Sequence, residues 1–134
     1  MIINKRILGI DFGTKRIGLA LSDENAEMAF PLAVVKNDSR AISAVAEIAK
    51  KNFVSKIVIG ESKDFLMKDN PIMDIIRDFE VALYEETHLD MVYEPEFLTS
   101  HQAQHLQGKN ELIDASAATI ILQSYIDRQK PRYF

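Results

Sequence analysis

Four carboxylates stand at the ends of separate chain elements: Asp11, Glu61 and Glu96 where strands close, and Asp114 where the last helix starts. Burying an unpaired carboxylate is costly, so each of these must be paired, solvated or bound to a cation. Carboxylates gathered at one edge repel one another and raise at least one pKa, a cost that divalent cations offset. Hard cations such as Mg²⁺ and Mn²⁺ prefer such oxygen donors. Two of them about 3.5–4 Å apart can activate a water and stabilise the leaving oxygen of a phosphodiester. Asp11 is the sharpest case, because it ends the apolar run Ile7-Leu8-Gly9-Ile10 and is followed by Phe12-Gly13-Thr14-Lys15-Arg16. A carboxylate beside a turn that carries Thr14, Lys15 and Arg16 makes a candidate metal and phosphate site. The plainer alternative is an Asp-x-Gly turn in which Asp11 only accepts backbone amides.

The elements that must position these residues follow from periodicity. Residues 2–11 and 16–22 read as strands joined by a turn at Gly13, and 28–36 as a third. Pro31 argues for an edge position there, because proline cannot donate a ladder hydrogen bond. Asp38 or Ser39 is expected to cap a helix bearing Ile42, Val45, Ala46 and Ala49, which closes near residues 50–52. Residues 56–60 are almost wholly apolar, the pattern of a central strand buried on both faces. An irregular loop is expected over 61–70, then a helix opened by Pro71 and running to about Glu86. Residues 91–94 form a fifth strand stopped by Pro95. A short helix over 100–107 and a long one over 113–129 complete the chain.

The order β-β-β-α-β-α-β-α predicts an α/β fold: one mixed sheet, strand order 3-2-1-4-5, with helices on its faces. Strands four and five should run parallel to strand one, and two antiparallel to it. Ligand sites in open α/β sheets form beyond the carboxyl ends of parallel strands. That edge would gather Asp11, Glu61 and Glu96, with Asp114 joining if the last helix begins beside it.

Three stretches resemble the YqgF/RuvX family of pre-16S ribosomal RNA nucleases and Holliday-junction resolvases. They are the run Gly9 to Gly18, the segment Glu96-Phe97-Leu98-Thr99-Ser100, and the helix motif Asp114-Ala115-Ser116-Ala117-Ala118. The resemblance implies an RNase H-like fold over 1–134 as one nuclease domain. It also implies a metal-dependent endonuclease acting on structured RNA or branched DNA with Mg²⁺ or Mn²⁺. Carried over residue by residue, the catalytic and metal-binding carboxylates are Asp11, Glu96 and Asp114. Thr14, Lys15 and Arg16 are expected to meet substrate phosphate. Departures stand beside the matches: Pro95 replaces the Asp that usually precedes the Glu, and Phe97 the Arg that follows it. The loop after strand four also differs. These leave room for a non-catalytic nucleic-acid-binding module of the same fold. Asp-x-Gly-Thr also resembles the phosphate motif of sugar kinases and actin-like ATPases, which need two such domains.

Composition narrows the classes. A chain of 134 residues with 47% hydrophobic and 27% charged residues fits one globular domain. The absence of cysteine excludes disulfides and thiolate metal sites. Asn4, Lys5, Arg6 and Asp11 interrupt any signal-peptide core, and no apolar run is long enough to span a bilayer, so a cytoplasmic protein without a membrane partner is expected. The net charge of −4 is uneven: residues 1–60 hold nine basic against six acidic residues, and residues 61–134 hold seven against fourteen. His101 and His105 share a helix face, but without a third ligand they read as polar surface. Glu61 reads as a solvated loop charge. A monomer suffices to trim one strand, whereas resolving a symmetric junction calls for a homodimer.

Overall fold

The computed structural model describes residues 5–61, 71–95 and 111–130, with the side chains of 111–114 also outside the description. Five strands form one mixed sheet: β1 (Ile7–Phe12), β2 (Arg16–Ser22), β3 (Ala29–Lys36), β4 (Lys56–Glu61) and β5 (Asp90–Pro95). Their order is β3-β2-β1-β4-β5. β2 runs antiparallel to β1 and β3 to β2, while β4 is parallel to β1 and β5 to β4. The three helices are α1 (Ala41–Lys51), α2 (Met73–Thr87) and α3 (Glu111–Gln129). This is the topology expected from the element order.

Alternation along the strands separates two apolar layers. Leu8, Ile10 and Phe12 of β1, Ile17 and Leu19 of β2, and Ile57 and Ile59 of β4 face α1 and α2. Ala41, Val45 and Ala49 of α1, with Met73, Ile76, Phe79 and Leu83 of α2, close that layer. Phe12 and Phe79 meet with ring centroids 5.0 Å apart. On the other face Ile7, Ala20, Ala29 and Val58 pack under Ala118, Ile121, Leu122, Tyr125 and Ile126 of α3. Ile57, Val58 and Ile59 are wholly buried, as a central strand with helices on both faces requires.

β3 lies at the edge, where Pro31 is tolerated. Leu19 pairs with Ala33 and Ala20 with Pro31, so Leu32 is the extra residue of a bulge.

Several local expectations differ from the structure. β1 begins at Ile7 rather than residue 2, and residues 1–4 lie outside the described residues. Neither Asp38 nor Ser39 caps α1: the N-cap is Arg40, without a side-chain cap. Asp38 Oδ1 instead accepts from the Arg40 amide at 2.9 Å, closing a local turn before the helix starts. α2 begins at Met73, two residues after Pro71, whose carbonyl accepts from Asp74 N in a preceding turn. His88 ends α2 through its backbone, in the left-handed region at φ 54°, and donates to Tyr84 O at 2.7 Å. The expected 100–107 helix and nearly all of the 61–70 loop fall outside the described residues; Glu61 itself ends β4.

Candidate functional site

Asp11 occupies the carboxyl end of β1, half-buried, on the same face as Ile7 and Gly9. That face lies under α3. A Cβ on Gly9 would come 2.7 Å from Leu122 Cβ and 3.1 Å from Ala118 O, so the helix rests directly on the glycine backbone. Near the other end of β1, Ala29 N donates to Gln123 Oε1 at 2.8 Å, in the row that Ser22 and Ala29 form. Contacts therefore move toward the N-terminus of α3 as β1 is followed toward Asp11. The helix runs antiparallel to β1, and its first turn, which holds position 114, arrives over the Asp11 end of the sheet. The side chain of Asp114, and Glu96 altogether, lie outside the described residues.

The turn after Asp11 is tightly tied. Gly13 N donates to Arg16 O at 2.9 Å, and a Cβ at Gly13 would lie 2.5 Å from that same oxygen. Glycine is therefore required there. Asn37, just past β3, holds the tip from the side: its Nδ2 donates to Gly13 O at 2.8 Å, and its backbone N to Lys15 O at 3.0 Å. Thr14 and Lys15 are exposed at the tip and Arg16 is half-buried.

Glu61 is separated from Asp11 by strand alternation. Ile57 and Ile59 face α1 and α2, so Glu61 shares their side, opposite Asp11. There its charge joins that of Glu80 in raising the pKa of Tyr93, although burial of the phenol is the largest cause. Tyr93 Oη donates to Glu80 Oε1 at 2.6 Å. Glu61 therefore stands apart from the Asp11 face, though not as the loop charge expected of it.

A carboxylate overlooked in the sequence does share that face. Glu94 pairs with Gly60 across β4 and β5. One step past the Ile10–Ile59 pair brings Asp11 level with Gly60. Asp11 and Glu94 thus lie in one row, about 10 Å apart across two strand spacings. Glu94 is 2% exposed and fully engaged: Ser124 Oγ donates to Oε2 at 2.7 Å and Arg128 Nη2 to Oε1 at 2.6 Å. The signals were a charge two places after Val92 in a strand and two polar residues four apart on α3.

For a divalent cation, Asp11 fits as a hard oxygen donor, half-buried at a strand end on the face of the sheet that α3 covers. Glu94 does not fit, because its oxygens are already taken by Ser124 and Arg128.

A five-stranded sheet of this order, with an aspartate at the end of its first strand under the last helix, defines an RNase H-like fold of the resolvase type. Thermus thermophilus RuvC in complex with a Holliday junction superposes with a TM-score of 0.60 at 16% identity, covering 93% of this chain and 95% of that one. Fowlpox virus resolvase with its junction DNA gives 0.57 at 13% identity, covering 92% and 97%. At these identities the likeness is one of fold. Residues 5–128 match the family described as "RuvX: Holliday junction resolvase", and the chain belongs to that family. A Caldanaerobacter subterraneus protein named "Putative pre-16S rRNA nuclease" is 36% identical, over 93% of this chain and 98% of its own. A Bacillus cereus protein of the same name is 34% identical, over 92% and 99%. Among the described residues, no helix is long and apolar enough to cross a membrane.

Proposed function

We propose that the chain is a metal-dependent endonuclease, one RNase H-like domain that hydrolyses phosphodiester bonds in structured nucleic acid. The observation that carries this is the half-buried Asp11 at the carboxyl end of β1, facing the layer where the first turn of α3 arrives. Asp11, Glu96 and Asp114 are its catalytic and metal-binding carboxylates. Mg²⁺ or Mn²⁺ held by them would supply a polarised water and neutralise charge at the leaving oxygen. Asp11 would hold that cation at the end of β1 as a hard oxygen donor. Thr14, Lys15 and Arg16, on a turn held by Gly13 and Asn37, bind a neighbouring phosphate and carry no sequence information.

The substrate favoured is ribosomal precursor RNA, trimmed at its 5′ side. Relatives at 34–36% identity over nearly their whole length bear that name, whereas the junction-bound neighbours share 13–16%. The test compares wild type with Asp11→Asn on a 5′-extended precursor RNA fragment and on a four-way DNA junction, each with Mg²⁺ or Mn²⁺. Cleavage of the RNA by wild type alone is the expected result. Cleavage of the junction alone would move the substrate to branched DNA. Binding without cleavage of either would leave a non-catalytic module.

A further inference from the structure

The two edges of the sheet are built differently. β3, at one edge, carries Pro31 and a bulge at Leu32, and both oppose the addition of another strand. β5, at the other, follows β4 in unbroken register from Asp90 opposite Lys56 to Pro95 opposite Glu61. Its one proline is its last residue. Among the described residues no strand lies outside it. Alternate residues of β5 therefore present their backbone N–H and C=O groups along a regular edge.

Beside this edge lies a groove of about 560 Å³, lined by Glu80, Val81, Tyr84 and Glu85 of α2 and by Asp90 and Met91 of β5. Its apolar lining is accessible: Val81 is 59% exposed, Tyr84 49%, and Met91 is half-buried. Its charge is negative. Glu85 and Asp90 are exposed and make no hydrogen bond or ion pair among the described residues. Glu80 accepts one hydrogen bond, from Tyr93. Of the cations close by, Arg77 pairs with Asp74 at 3.6 Å. Lys56, opposite Asp90 in the register, donates to Tyr125 Oη at 3.2 Å on the α3 side. The His88 ring packs edge-on against Tyr84. The last turn of α2 holds no basic residue, so the negative end of the helix adds to the field of the groove.

We propose that the β5 edge and the groove beside it are a docking site for an extended basic segment of another protein, which joins the sheet as a further strand. Charge selects this occupant. An acidic face repels phosphate, which excludes a nucleic-acid strand, and a simple cation would gain nothing from Val81, Tyr84 and Met91. An extended basic polypeptide uses all three features. Its backbone takes up the open groups of β5, and alternate apolar side chains enter the groove. Lysine or arginine side chains between them meet Glu85 and Asp90. The inference is independent of the nuclease reading, because no residue of that site takes part.

The test titrates the whole chain with a short fluorescent peptide of alternating lysine and valine and follows amide protection by NMR. Saturable binding is expected, with added protection at alternate residues of β5 and none in β3. The same peptide N-methylated along one edge keeps its charge and side chains but should not bind, because it cannot complete the ladder. Glu85→Lys exchanges an attraction for a repulsion and should weaken binding about tenfold, as should Val81→Lys. Both positions are exposed, so Tm should stay that of wild type. Absence of saturable binding would overturn the proposal. Equal binding of the N-methylated peptide, or unchanged affinity in both variants, would reduce it to general charge attraction and overturn it too. Protection in β3 instead of β5 would place the open edge on the wrong side of the sheet. Protection of β5 that grows with protein concentration alone would make a second copy the occupant, and protection by single-stranded RNA would make it nucleic acid. Either result would overturn the basic-segment assignment.

Discussion

Arg128 reaches back from the last turn of α3 to donate to Glu94 Oε1 at 2.6 Å, tying the end of β5 to the helix. The Glu94 side chain is 3% exposed and that of Arg128 53%. Breaking a fully buried pair by removing one partner costs about 3–5 kcal/mol, and the solvent access of Arg128 reduces this to about 2 kcal/mol. Arg128→Ala should therefore lower stability by about that amount in urea unfolding. Replacing both partners, Glu94→Leu with Arg128→Leu, should cost less than the single change, because no buried charge is left behind.

Gly9 lets the backbone of β1 lie close against α3. Gly9→Ala puts a methyl 2.7 Å from Leu122 Cβ, so the helix must move. Overpacking of this kind costs about 1–3 kcal/mol. Leu122→Ala should not rescue the variant, since the colliding atom is the Cβ that alanine keeps. Thermal unfolding of the single and double variants tests this.

Asn37→Ala removes the donor to Gly13 O, a part-buried bond, and should cost about 1 kcal/mol. The local effect should exceed the global one. Amide exchange at Gly13 and Arg16 is expected to quicken more than the fall in overall stability explains.

Tyr93 supplies the alkaline prediction. Burial, and then the hydrogen bond to Glu80, raise its pKa above the ordinary phenol value. The folded state therefore holds the phenol proton more tightly than the unfolded state does. This contribution is complete below about pH 10, the unfolded value, and is lost as pH rises beyond it. Tyr93→Phe should flatten the decline of Tm above pH 10, while at pH 7 it loses the Glu80 bond.

Much of this molecule is written locally. Ile7 to Phe12 alternates between layers, residues 56–59 are apolar throughout, and Pro31 excludes a central strand. These facts, with right-handed crossovers between parallel strands, leave few arrangements other than the 3-2-1-4-5 order. The place of Asp11 at a strand end was equally legible, because an apolar run ending in a charge and a glycine turn is a contiguous signal. Capping was less so: Asp38 had the composition of a cap, but its carboxylate reached the nearest amide, that of Arg40, first.

What the chain could not disclose alone is which face each charge takes and what lies across from it. Glu61 and Glu94 both close strands in the sequence, yet alternation turns one toward α1 and α2 and the other under α3. Glu94 finds Arg128 across 34 positions, and Lys36 meets Arg16 across 20. Such pairs depend on strand register and helix packing, which arise only when distant segments share one core. Residue types and spacing determined the sheet and its aspartate; the tertiary structure decided which charges stand beside it, because side-chain direction changes with every single-residue step along a strand.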